Sequence, residues 1–358
     1  MKELIITVQE LFMMKDPPVI VDVRSPSEYA LASIPGAINL PLFDDYERAQ
    51  IGIIYKEKGI LEAKLKGVEL FSPKMHYFVS RIIEEIEKNN RAVVFYCWRG
   101  GMRSKFPLKI TEFLGLQVYQ LQGGYKGYRR YIYHQLNNYE FHNQQLIVLN
   151  GFTGSGKTKV IKRLASHWPV LDLEGMARHR GSVFGNLGLE KPRSQKDFEA
   201  LLWHDLYRFR DEPFIIVEGE GRKIGPLNLP PFLVKAIKEG THILLQASLE
   251  TRVKRILNEY ASLDKEIVKN QARKPLSYLT KRLGRDKVSR LQELLEDEDY
   301  YNMVKILCRE HYDQKYAESK IGVNEFELVV KAENLEEAVE EINGYLNRLL
   351  IKRKTAAE

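Results

Sequence analysis

One run of eight residues restricts the fold of this chain more than any other feature. Residues 151–158 read GFTGSGKT, directly after an apolar run at 146–149 and before a helix-type pattern at 159–167. In such a strand–loop–helix context, glycines let backbone N–H groups approach a phosphate chain, a lysine neutralises its terminal oxygens, and a threonine hydroxyl faces Mg²⁺. The sequence therefore predicts a di- or triphosphate site and leaves nucleotide hydrolysis open. The predicted phosphate-binding residues are Gly151, Thr153, Gly154, Ser155, Gly156, Lys157 and Thr158, with Thr158 as the Mg²⁺ ligand.

The rest of the chain favours two α/β domains, because 358 residues are more than a domain with one hydrophobic core typically contains. Apolar runs of strand type alternate with helix-type patterns, which predicts parallel sheets. The predicted strands are residues 19–23, 92–96, 118–121, 146–149, 170–171, 214–217 and 243–245, and the clearest predicted helix is 75–88. We place the first domain at residues 1–140, with a connecting helix at about 125–144. The second, a P-loop NTPase-like α/β domain, spans residues 141–358 and has a mostly helical C-terminal part.

Acidic residues follow two of the predicted strands in the second domain. Glu218 and Glu220, in the run EGEGR, lie where a carboxylate can act as a base or hold a metal-bound water. A second acidic run follows the strand at 170–171, and a polar loop comes after it. We therefore predict Glu218 and Glu220 as catalytic residues together with Lys157. The predicted further ligand loop consists of Asp172, Glu174, His179, Arg180, Ser182 and Arg222.

A second candidate site begins at Cys97, directly after the predicted strand at 92–96. The run CWRGGMRS leads into a helix-type pattern at 105–114, so the sulfur would lie at a helix N-terminus. Backbone N–H groups and guanidinium groups in such a position stabilise a thiolate and bind an anionic group carried on sulfur. The predicted catalytic residues here are Cys97, Arg99 and Arg103, and the predicted anion-binding residues are Arg99, Gly100, Gly101, Arg103 and Ser104.

Two upstream runs, DVRSPSEY at 22–29 and IPGAINLP at 34–41, together with this loop resemble the rhodanese (sulfurtransferase) domain. The resemblance implies a parallel-sheet fold and a cysteine that carries a persulfide. In two places the sequence departs from that pattern. Ala32-Ser33 stand where Gly-His is usual, and the loop is one residue longer, with the Cys-x5-Arg spacing of rhodanese-like and tyrosine phosphatases. A wider loop suits a group larger than sulfur, which leaves phosphate and selenium as candidates.

The combination of a rhodanese-like domain with a P-loop domain resembles the bacterial tRNA 2-selenouridine synthase family. The runs CWRGGMRS and GFTGSGKT carry this resemblance. DLEG at 172–175, HRGS at 179–182 and YDQKY at 312–316 are also similar to that family. Glycines stand at 219 and 221 where relatives often carry serine, but both acids and Arg222 are kept. The resemblance extends over nearly the whole chain.

The resemblance implies a tRNA-modifying transferase that replaces the sulfur of wobble 2-thiouridine with selenium from selenophosphate. Geranyl diphosphate first alkylates the sulfur, which turns a poor leaving group into a good thiolate, and selenium then displaces a geranyl thiol. The P-loop would hold the diphosphate, with Lys157, Thr158 and Mg²⁺ stabilising its charge. Cys97 would carry selenium, with its loop binding selenophosphate. The implied partners are a tRNA with 2-thiouridine at the wobble position and a supply of selenophosphate.

The charge pattern supports a polyanionic partner. The chain carries a net charge of +7, and between residues 252 and 290 twelve Lys or Arg accompany only four Asp or Glu. Such clustering is typical of phosphate-backbone contacts, and tyrosines among basic residues at 125–133 would stack on unpaired bases. The predicted tRNA contacts are Arg129, Arg130, Arg273, Lys274, Lys281, Arg282 and Arg285, and the predicted stacking residues are Tyr125, Tyr128, Tyr131 and Tyr133.

Two other functions stay open at this point. One is an RNA or nucleoside kinase that uses ATP at the P-loop, with the rhodanese-like domain as a regulatory or phosphatase-like module. The other is a non-catalytic RNA-binding module, against which the intact Cys97 loop and the intact phosphate loop argue. Two cysteines cannot form a disulfide framework, and we find no apolar run that predicts a signal peptide or a membrane span. We therefore expect a cytoplasmic protein.

Overall fold

The computed structural model describes residues 4–182, 184–185, 187–188, 190–261, 264–318 and 326–357. The chain forms two compact units, and the boundary along the chain lies between Asn138 and Tyr139, with Glu199–Leu201 grouped with the first unit. Each unit contains a five-stranded sheet, and all strand pairs in these two sheets are parallel. The predicted class is confirmed: a rhodanese-like parallel-sheet domain, then a P-loop α/β domain with a helical C-terminal part.

The sheet of the first unit has the order β1-β5-β4-β2-β3. Its strands are β1 (Ile5–Ile6), β2 (Val19–Asp22), β3 (Ile38–Asn39), β4 (Val93–Tyr96) and β5 (Val118–Leu121). Its helices are α1 (Val8–Met13), α2 (Pro26–Leu31), α3 (Asp45–Lys58), α4 (Ile60–Phe71), α5 (Met75–Asn89), α6 (Met102–Phe113) and α7 (Gly124–Asn137). All four residues of β4 are buried because it lies at the centre of the sheet. This places the residue that follows β4, Cys97, at the middle of the sheet's carboxyl edge.

Amphipathic patterning explains the helices that cover this sheet. The predicted helix at 75–88 is confirmed as α5, which buries Phe78 and Ile82 at helical spacing and begins after a short 3₁₀ turn, Ser72–Lys74. Burial of each such side chain stabilises the folded state by about 1.5–3 kcal/mol. At the end of β2, Arg24 and Asp22 form a fully buried ion pair, with 2.5 Å between Arg24 Nη2 and Asp22 Oδ2.

The sheet of the second unit has the order β12-β11-β6-β8-β7. Its strands are β6 (Gln145–Asn150), β7 (Val170–Leu171), β8 (Phe214–Glu218), β11 (Thr241–Gln246) and β12 (Leu328–Lys331), and an antiparallel hairpin is formed by β9 (Lys223–Ile224) and β10 (Leu227–Asn228). The helices near the sheet are α8 (Lys157–Leu164), α9 (Leu173–Ala177), α10 (Gln195–Arg208), α11 (Pro231–Glu239) and α18 (Leu335–Ala357). The helical part comprises α12 (Leu249–Tyr260), α13 (Lys265–Tyr278), α14 (Thr280–Leu283), α15 (Arg285–Glu296), α16 (Tyr300–Leu307), a π-helical turn (Cys308–Tyr312) and α17 (Asp313–Glu318).

Among the described residues of this unit, apolar side chains cluster both at the sheet and within the helical part. The cluster at the sheet includes Ile147, Ile216 and Ile243. The cluster within the helical part includes Leu276 and Leu291. Because β6 and β8 pair in parallel, with Leu149 opposite Glu218, the phosphate loop after β6 and the acids after β8 leave the sheet at the same edge. Within the described residues, we find no helix that is both long and apolar enough to cross a membrane.

Candidate functional site

The phosphate loop joins β6 to the N-terminus of α8. Gly156 has φ +102°, and a Cβ at this position would lie 2.6 Å from Leu335 Cδ2, so the loop requires glycine there. Lys157 Nζ donates a hydrogen bond to Gly151 O at 2.6 Å. Ser155 is 1% exposed, and its hydroxyl has no hydrogen-bond partner among the described residues. A helix N-terminus with a lysine and a buried, unpartnered hydroxyl is an arrangement that binds phosphate.

Two arginines of the basic segment support this loop. Arg252 is 4% exposed, donates from Nε to Thr153 O at 2.9 Å, and pairs with Asp313 at 2.6 Å. Arg255 donates to Ser155 O at 2.7 Å. Both cations therefore hold the phosphate loop in place. The charge pattern alone suggests that both arginines belong to an RNA-facing surface. That assignment is wrong, because their guanidinium groups bind protein carbonyls.

A cavity of about 790 Å³ opens beside the phosphate loop. It falls within the volume range of ordinary small-molecule sites, about 300–1,000 Å³. The phosphate loop supplies part of its polar lining, other polar residues such as Glu174, Arg180 and Arg222 add to it, and helices α12, α13 and α16 supply apolar lining. The apolar lining residues include Ile256, Leu257, Val268, Met303, Val304 and Leu307. The cavity can thus hold a ligand that has a phosphate group attached to an apolar body.

Glu218 ends β8 and is completely buried. Its Oε2 accepts hydrogen bonds from the backbone N–H groups of Leu173, at 2.8 Å, and Glu174, at 3.4 Å. Among the described residues its Oε1 has no partner. Burial, with smaller contributions from the carboxylates of Glu174, Asp172 and Glu220, raises the pKa of Glu218 well above its ordinary value. Glu218 therefore keeps its proton to higher pH than an exposed glutamate, and its catalytic role stays a prediction.

Glu174 belongs to the carboxylates around Glu218 and also contacts the phosphate loop. Thr158 Oγ1 donates to Glu174 Oε2 at 3.1 Å. Burial raises the pKa of Glu174, although Lys157 and Thr158 act in the opposite direction. No group of three or more His, Cys, Asp or Glu within the described ranges could hold a metal ion. Hydroxyl and phosphate oxygens nevertheless suit Mg²⁺, which is commonly held by few protein ligands together with substrate phosphates, so Thr158 fits the predicted ion.

The polar loop after α9 is held by internal contacts. His179 is 9% exposed, and its Nδ1 accepts a hydrogen bond from Gly181 N at 3.1 Å. Burial lowers the pKa of His179. Arg180 donates to Leu187 O at 2.9 Å and lies 5.3 Å from the ring centre of Tyr260. Of the predicted catalytic and ligand residues, Glu174, Arg180, Ser182, Glu220 and Arg222 line the cavity, whereas Asp172, His179 and Glu218 are not among its lining residues.

The cysteine loop, residues 97–104, joins β4 to α6 in the first unit. Cys97 is 3% exposed, and its Sγ accepts a hydrogen bond from Gly101 N at 3.3 Å. Ser104 is fully buried, with its Oγ 3.3 Å from the same sulfur. Because α6 begins at Met102, the sulfur lies at a helix N-terminus, where negative charge is stabilised.

The two predicted arginines of this loop have different environments. Arg99 is exposed. Arg103 pairs with Glu28 at 2.5 Å. Although burial opposes the effect, Arg103 and Arg48 lower the pKa of Glu28. Arg99 can therefore reach an anion directly, whereas Arg103 must share its charge with Glu28.

Sequence reasoning missed Gly124, which fixes the cysteine loop against α7. Tyr125 N, at the start of α7, donates to Cys97 O at 2.8 Å. Gly124 has φ +54°, and a Cβ there would lie 2.2 Å from Cys97 O and 2.5 Å from Gly100 N. The glycine pair at 123–124 was the available signal, but its sequence position indicates only the end of a strand.

The predicted RNA contacts of the helical part lie on its surface. The exposed residues are Arg273, Lys274, Lys281, Arg282 and Arg285, on α13, α14 and α15. Arg273 also pairs with Glu296 at 2.9 Å. All five side chains are therefore open to solvent, and their contact with tRNA stays a prediction.

The predicted contacts on α7 divide into inward and outward residues. Arg130 is exposed, whereas Arg129 pairs at 2.6 Å with Glu199 of the same compact unit. Tyr125 and Tyr128 are 2% and 0% exposed. The prediction that these two rings stack on bases is wrong, because they belong to the protein core. Tyr133, by contrast, is 62% exposed.

The two units define a class of protein in which an anion-cradling cysteine domain precedes a P-loop domain. The profile of the rhodanese-like domain matches residues 8–131. The profile described as the tRNA 2-selenouridine synthase AAA domain matches residues 144–343, which is more than half of the chain. The chain belongs to the tRNA 2-selenouridine synthase family, as the sequence predicts.

Curated relatives agree with this assignment over most of their length. The tRNA 2-selenouridine synthase of Nitrosomonas europaea is 32% identical, over 86% of this chain and 89% of the relative. The one from Cupriavidus necator is 33% identical, over 83% of this chain and 87% of the relative. The one from Hydrogenovibrio crunogenus is 34% identical, over 86% and 90%. A shared region of this length includes parts of both units.

Proposed function

We propose that this protein is a tRNA-modifying transferase that converts wobble 2-thiouridine to 2-selenouridine in two steps. In the first, the sulfur attacks C1 of geranyl diphosphate, the C1–O bond breaks, and diphosphate leaves. In the second, the selenium atom of selenophosphate attacks C2 of the base, the geranyl thiol leaves, and water cleaves the Se–P bond and releases phosphate. The family assignment supports the overall conversion. The names of the relatives support tRNA as the substrate.

The observation that carries the geranyl step is the composition of the cavity beside the phosphate loop. Its lining joins the loop to the apolar side chains of Ile256, Val268, Met303 and Leu307. A prenyl diphosphate has the same two parts, a charged head and an apolar tail. Lys157 would neutralise the departing diphosphate, and Mg²⁺ held at Thr158 would add positive charge.

A kinase that binds ATP at this loop is the second candidate, and the apolar part of the cavity disfavours it. A nucleoside needs polar partners for its base and ribose. Polar residues such as Glu174, Arg180 and Arg222 do line the cavity, but α12, α13 and α16 present mainly aliphatic side chains to it. The apolar cavity is therefore the better-supported place for the rest of the ligand.

The cysteine loop supports the selenium step. The sulfur of Cys97 receives a backbone hydrogen bond at a helix N-terminus, and Arg99 is exposed nearby in sequence. A selenophosphate group would use this loop and both arginines, Arg99 and Arg103. We assign Cys97 and its loop to the selenium step, and the two chemical steps to different units of the chain.

The deciding experiment combines the protein with tRNA bearing 2-thiouridine, geranyl diphosphate, selenophosphate and Mg²⁺. The tRNA is then digested and its nucleosides are analysed by mass spectrometry. Without selenophosphate we expect geranylated thiouridine, and with it we expect selenouridine. Unchanged nucleosides together with ATP hydrolysis in a parallel reaction would favour the kinase.

A matched pair of variants tests where the diphosphate binds. Lys157→Ala is expected to impair geranyl transfer and to weaken binding of inorganic diphosphate, because it removes the cation of the phosphate loop. Lys162→Ala removes an equally charged but exposed side chain of the same helix, and is expected to change neither. Unchanged geranyl transfer in Lys157→Ala would place the diphosphate elsewhere.

Shortening the prenyl chain tests the apolar lining. Dimethylallyl diphosphate lacks five carbons of the geranyl chain, and each buried methylene is worth about 0.8 kcal/mol. We therefore expect its affinity to fall by up to about 1,000-fold, as measured by competition with labelled geranyl diphosphate. Equal affinities of the two diphosphates would mean that the cavity does not hold the tail.

A further inference from the structure

Gln120 lies beneath the cysteine loop and contacts it from the neighbouring strand. It belongs to β5, pairs with Phe95 of β4, and is 3% exposed. Its side-chain Nε2 lies 2.8 Å from Ser104 Oγ, 2.9 Å from Gly100 O and 3.3 Å from Gly101 O. Because carbonyl oxygens only accept hydrogen bonds, these contacts require that the amide directs its N–H₂ group toward the loop. One buried side chain therefore holds three points of the loop.

The hydrogen bond from Gln120 to Ser104 limits the acceptors to which the Ser104 hydroxyl can donate. The hydroxyl oxygen accepts the hydrogen bond from Gln120, so its own O–H must donate elsewhere. Two acceptors are within reach, Gly101 O at 3.2 Å and Cys97 Sγ at 3.3 Å. Gly101 O already accepts from Lys105 N at 3.1 Å and from the backbone N–H of Ser104 at 3.2 Å. An ionised sulfur is then the stronger competitor, because hydrogen bonds to charged acceptors are about twice as strong as neutral ones.

We propose that Gln120 is a positioning residue for Cys97, because its amide holds the Ser104 hydroxyl so that the O–H donates to the negatively charged sulfur. Together with Gly101 N, the hydroxyl gives this sulfur two donors. The selenium chemistry that the sulfur would serve rests on the proposed function. The effect on the sulfur itself does not, because it can be measured without any substrate.

Other charged groups also surround the loop, and the test must leave them in place. The titratable and charged residues of the loop and of the elements around it include Asp22, Arg24, Glu28, Arg48, Tyr96, Arg99, Arg103, Lys105, Lys109, Glu112, Tyr119, Tyr125, Lys126, Tyr128, Arg129, Arg130, Tyr131, Tyr133 and His134. Substitution of Gln120 by an uncharged side chain changes none of them. A change in the ionisation of the sulfur would therefore report the loss of the amide.

The test measures how fast iodoacetamide alkylates Cys97 as a function of pH. Gln120→Met keeps the length of the side chain and removes the donor. At pH 7 we expect alkylation of Cys97 in this variant to slow by about tenfold. The curve of alkylation rate against pH should move to higher pH, and its plateau at alkaline pH should not fall. Mass spectrometry of the peptides separates Cys97 from Cys308, the other buried cysteine. Gln117→Met, at an exposed position before β5, is the control and is expected to match the wild type.

A double-mutant cycle separates positioning from structural support. Ser104→Ala alone should slow alkylation at pH 7 to the same extent, and Gln120→Met should add nothing in that background. Additive effects would overturn the proposal. So would faster alkylation at every pH, which would show that the loop has simply opened.

Activity measurements distinguish this inference from the proposed function. Gln120→Met is expected to slow selenium insertion while geranyl transfer stays at the wild-type rate. If the wild type inserts no selenium, the proposed function fails, whereas a coupled effect on alkylation would still support the role of Gln120. If selenium insertion proceeds normally and alkylation is unchanged in both variants, the inference alone is refuted.

Discussion

Substituting Gly124 by alanine would press a methyl group into the backbone of the cysteine loop. The Cβ would lie 2.2 Å from Cys97 O, 2.5 Å from Gly100 N and 3.1 Å from Arg99 C. None of these backbone atoms can rotate away as a flexible side chain would. The loop or α7 must therefore move, and the hydrogen bond from Tyr125 N to Cys97 O, now 2.8 Å, must lengthen.

The cost of this change has two parts. Overpacking a close-fitting site costs about 1–3 kcal/mol, and an alanine at positive φ costs about 1–2 kcal/mol. We therefore expect the free energy of opening this region to fall by about 3 kcal/mol. Since about 1.4 kcal/mol corresponds to a factor of ten, the open form should become about 100 times more populated.

Native-state hydrogen exchange measures that population directly. The amides of Tyr125 and Lys126, which donate to Cys97 O and Trp98 O, should exchange about 100-fold faster in Gly124→Ala. We expect selenium insertion to fall and geranyl transfer to continue, because the phosphate loop belongs to the other unit.

A second glycine of the same loop provides the control. Gly101 has φ −97°, and a Cβ there would meet nothing within 4 Å. Gly101→Ala should therefore leave the exchange rates of both amides unchanged. Exchange within twofold of the wild type in Gly124→Ala would refute the argument that this close approach holds the loop.

Three further predictions address the two sites and the surface. Cys97→Ser is expected to abolish selenium insertion and spare geranylation, read by mass spectrometry of digested tRNA, because a hydroxyl is a much weaker nucleophile than a thiolate. Glu218→Gln is expected to stabilise the second unit at pH 8 and to have no effect near pH 4, measured by urea unfolding. The raised pKa of Glu218 means that wild-type stability falls as pH rises through the window between the unfolded and folded values. Binding of tRNA is expected to weaken steeply with salt, and Lys274→Ala or Arg285→Ala should each reduce the log–log slope by about 1.

Each of these predictions has a contradicting outcome. Equal loss of both reactions in Cys97→Ser would exclude a division of labour between the units. A pH-independent change in Glu218→Gln would mean that the buried charge is not its cause. A flat salt response would exclude contacts with the phosphate backbone. Arg290→Ala serves as the control for the surface, because Arg290 is exposed and already pairs with Glu293 at 3.0 Å.

Features that depend on local chemistry could be predicted from the sequence. Buried strands such as β4 and β8 are continuous apolar runs, and α5 shows its helical spacing directly. The glycines of the phosphate loop and the residues of the cysteine loop are contiguous, so their geometry follows from a few neighbouring dihedral angles. For this reason the fold class and the two loops were predictable without any tertiary information.

Which residues of similar type face inward depends on the tertiary structure. Arg252 and Arg273 are both arginines in one basic segment, yet the first supports the phosphate loop and the second is 53% exposed. Gln120 and Gly124 become important only because β5 and α7 bring them against the cysteine loop. The apolar cavity likewise combines helices that are distant in sequence. Burial and contact depend on the packing of whole elements, and no short window of sequence contains that information.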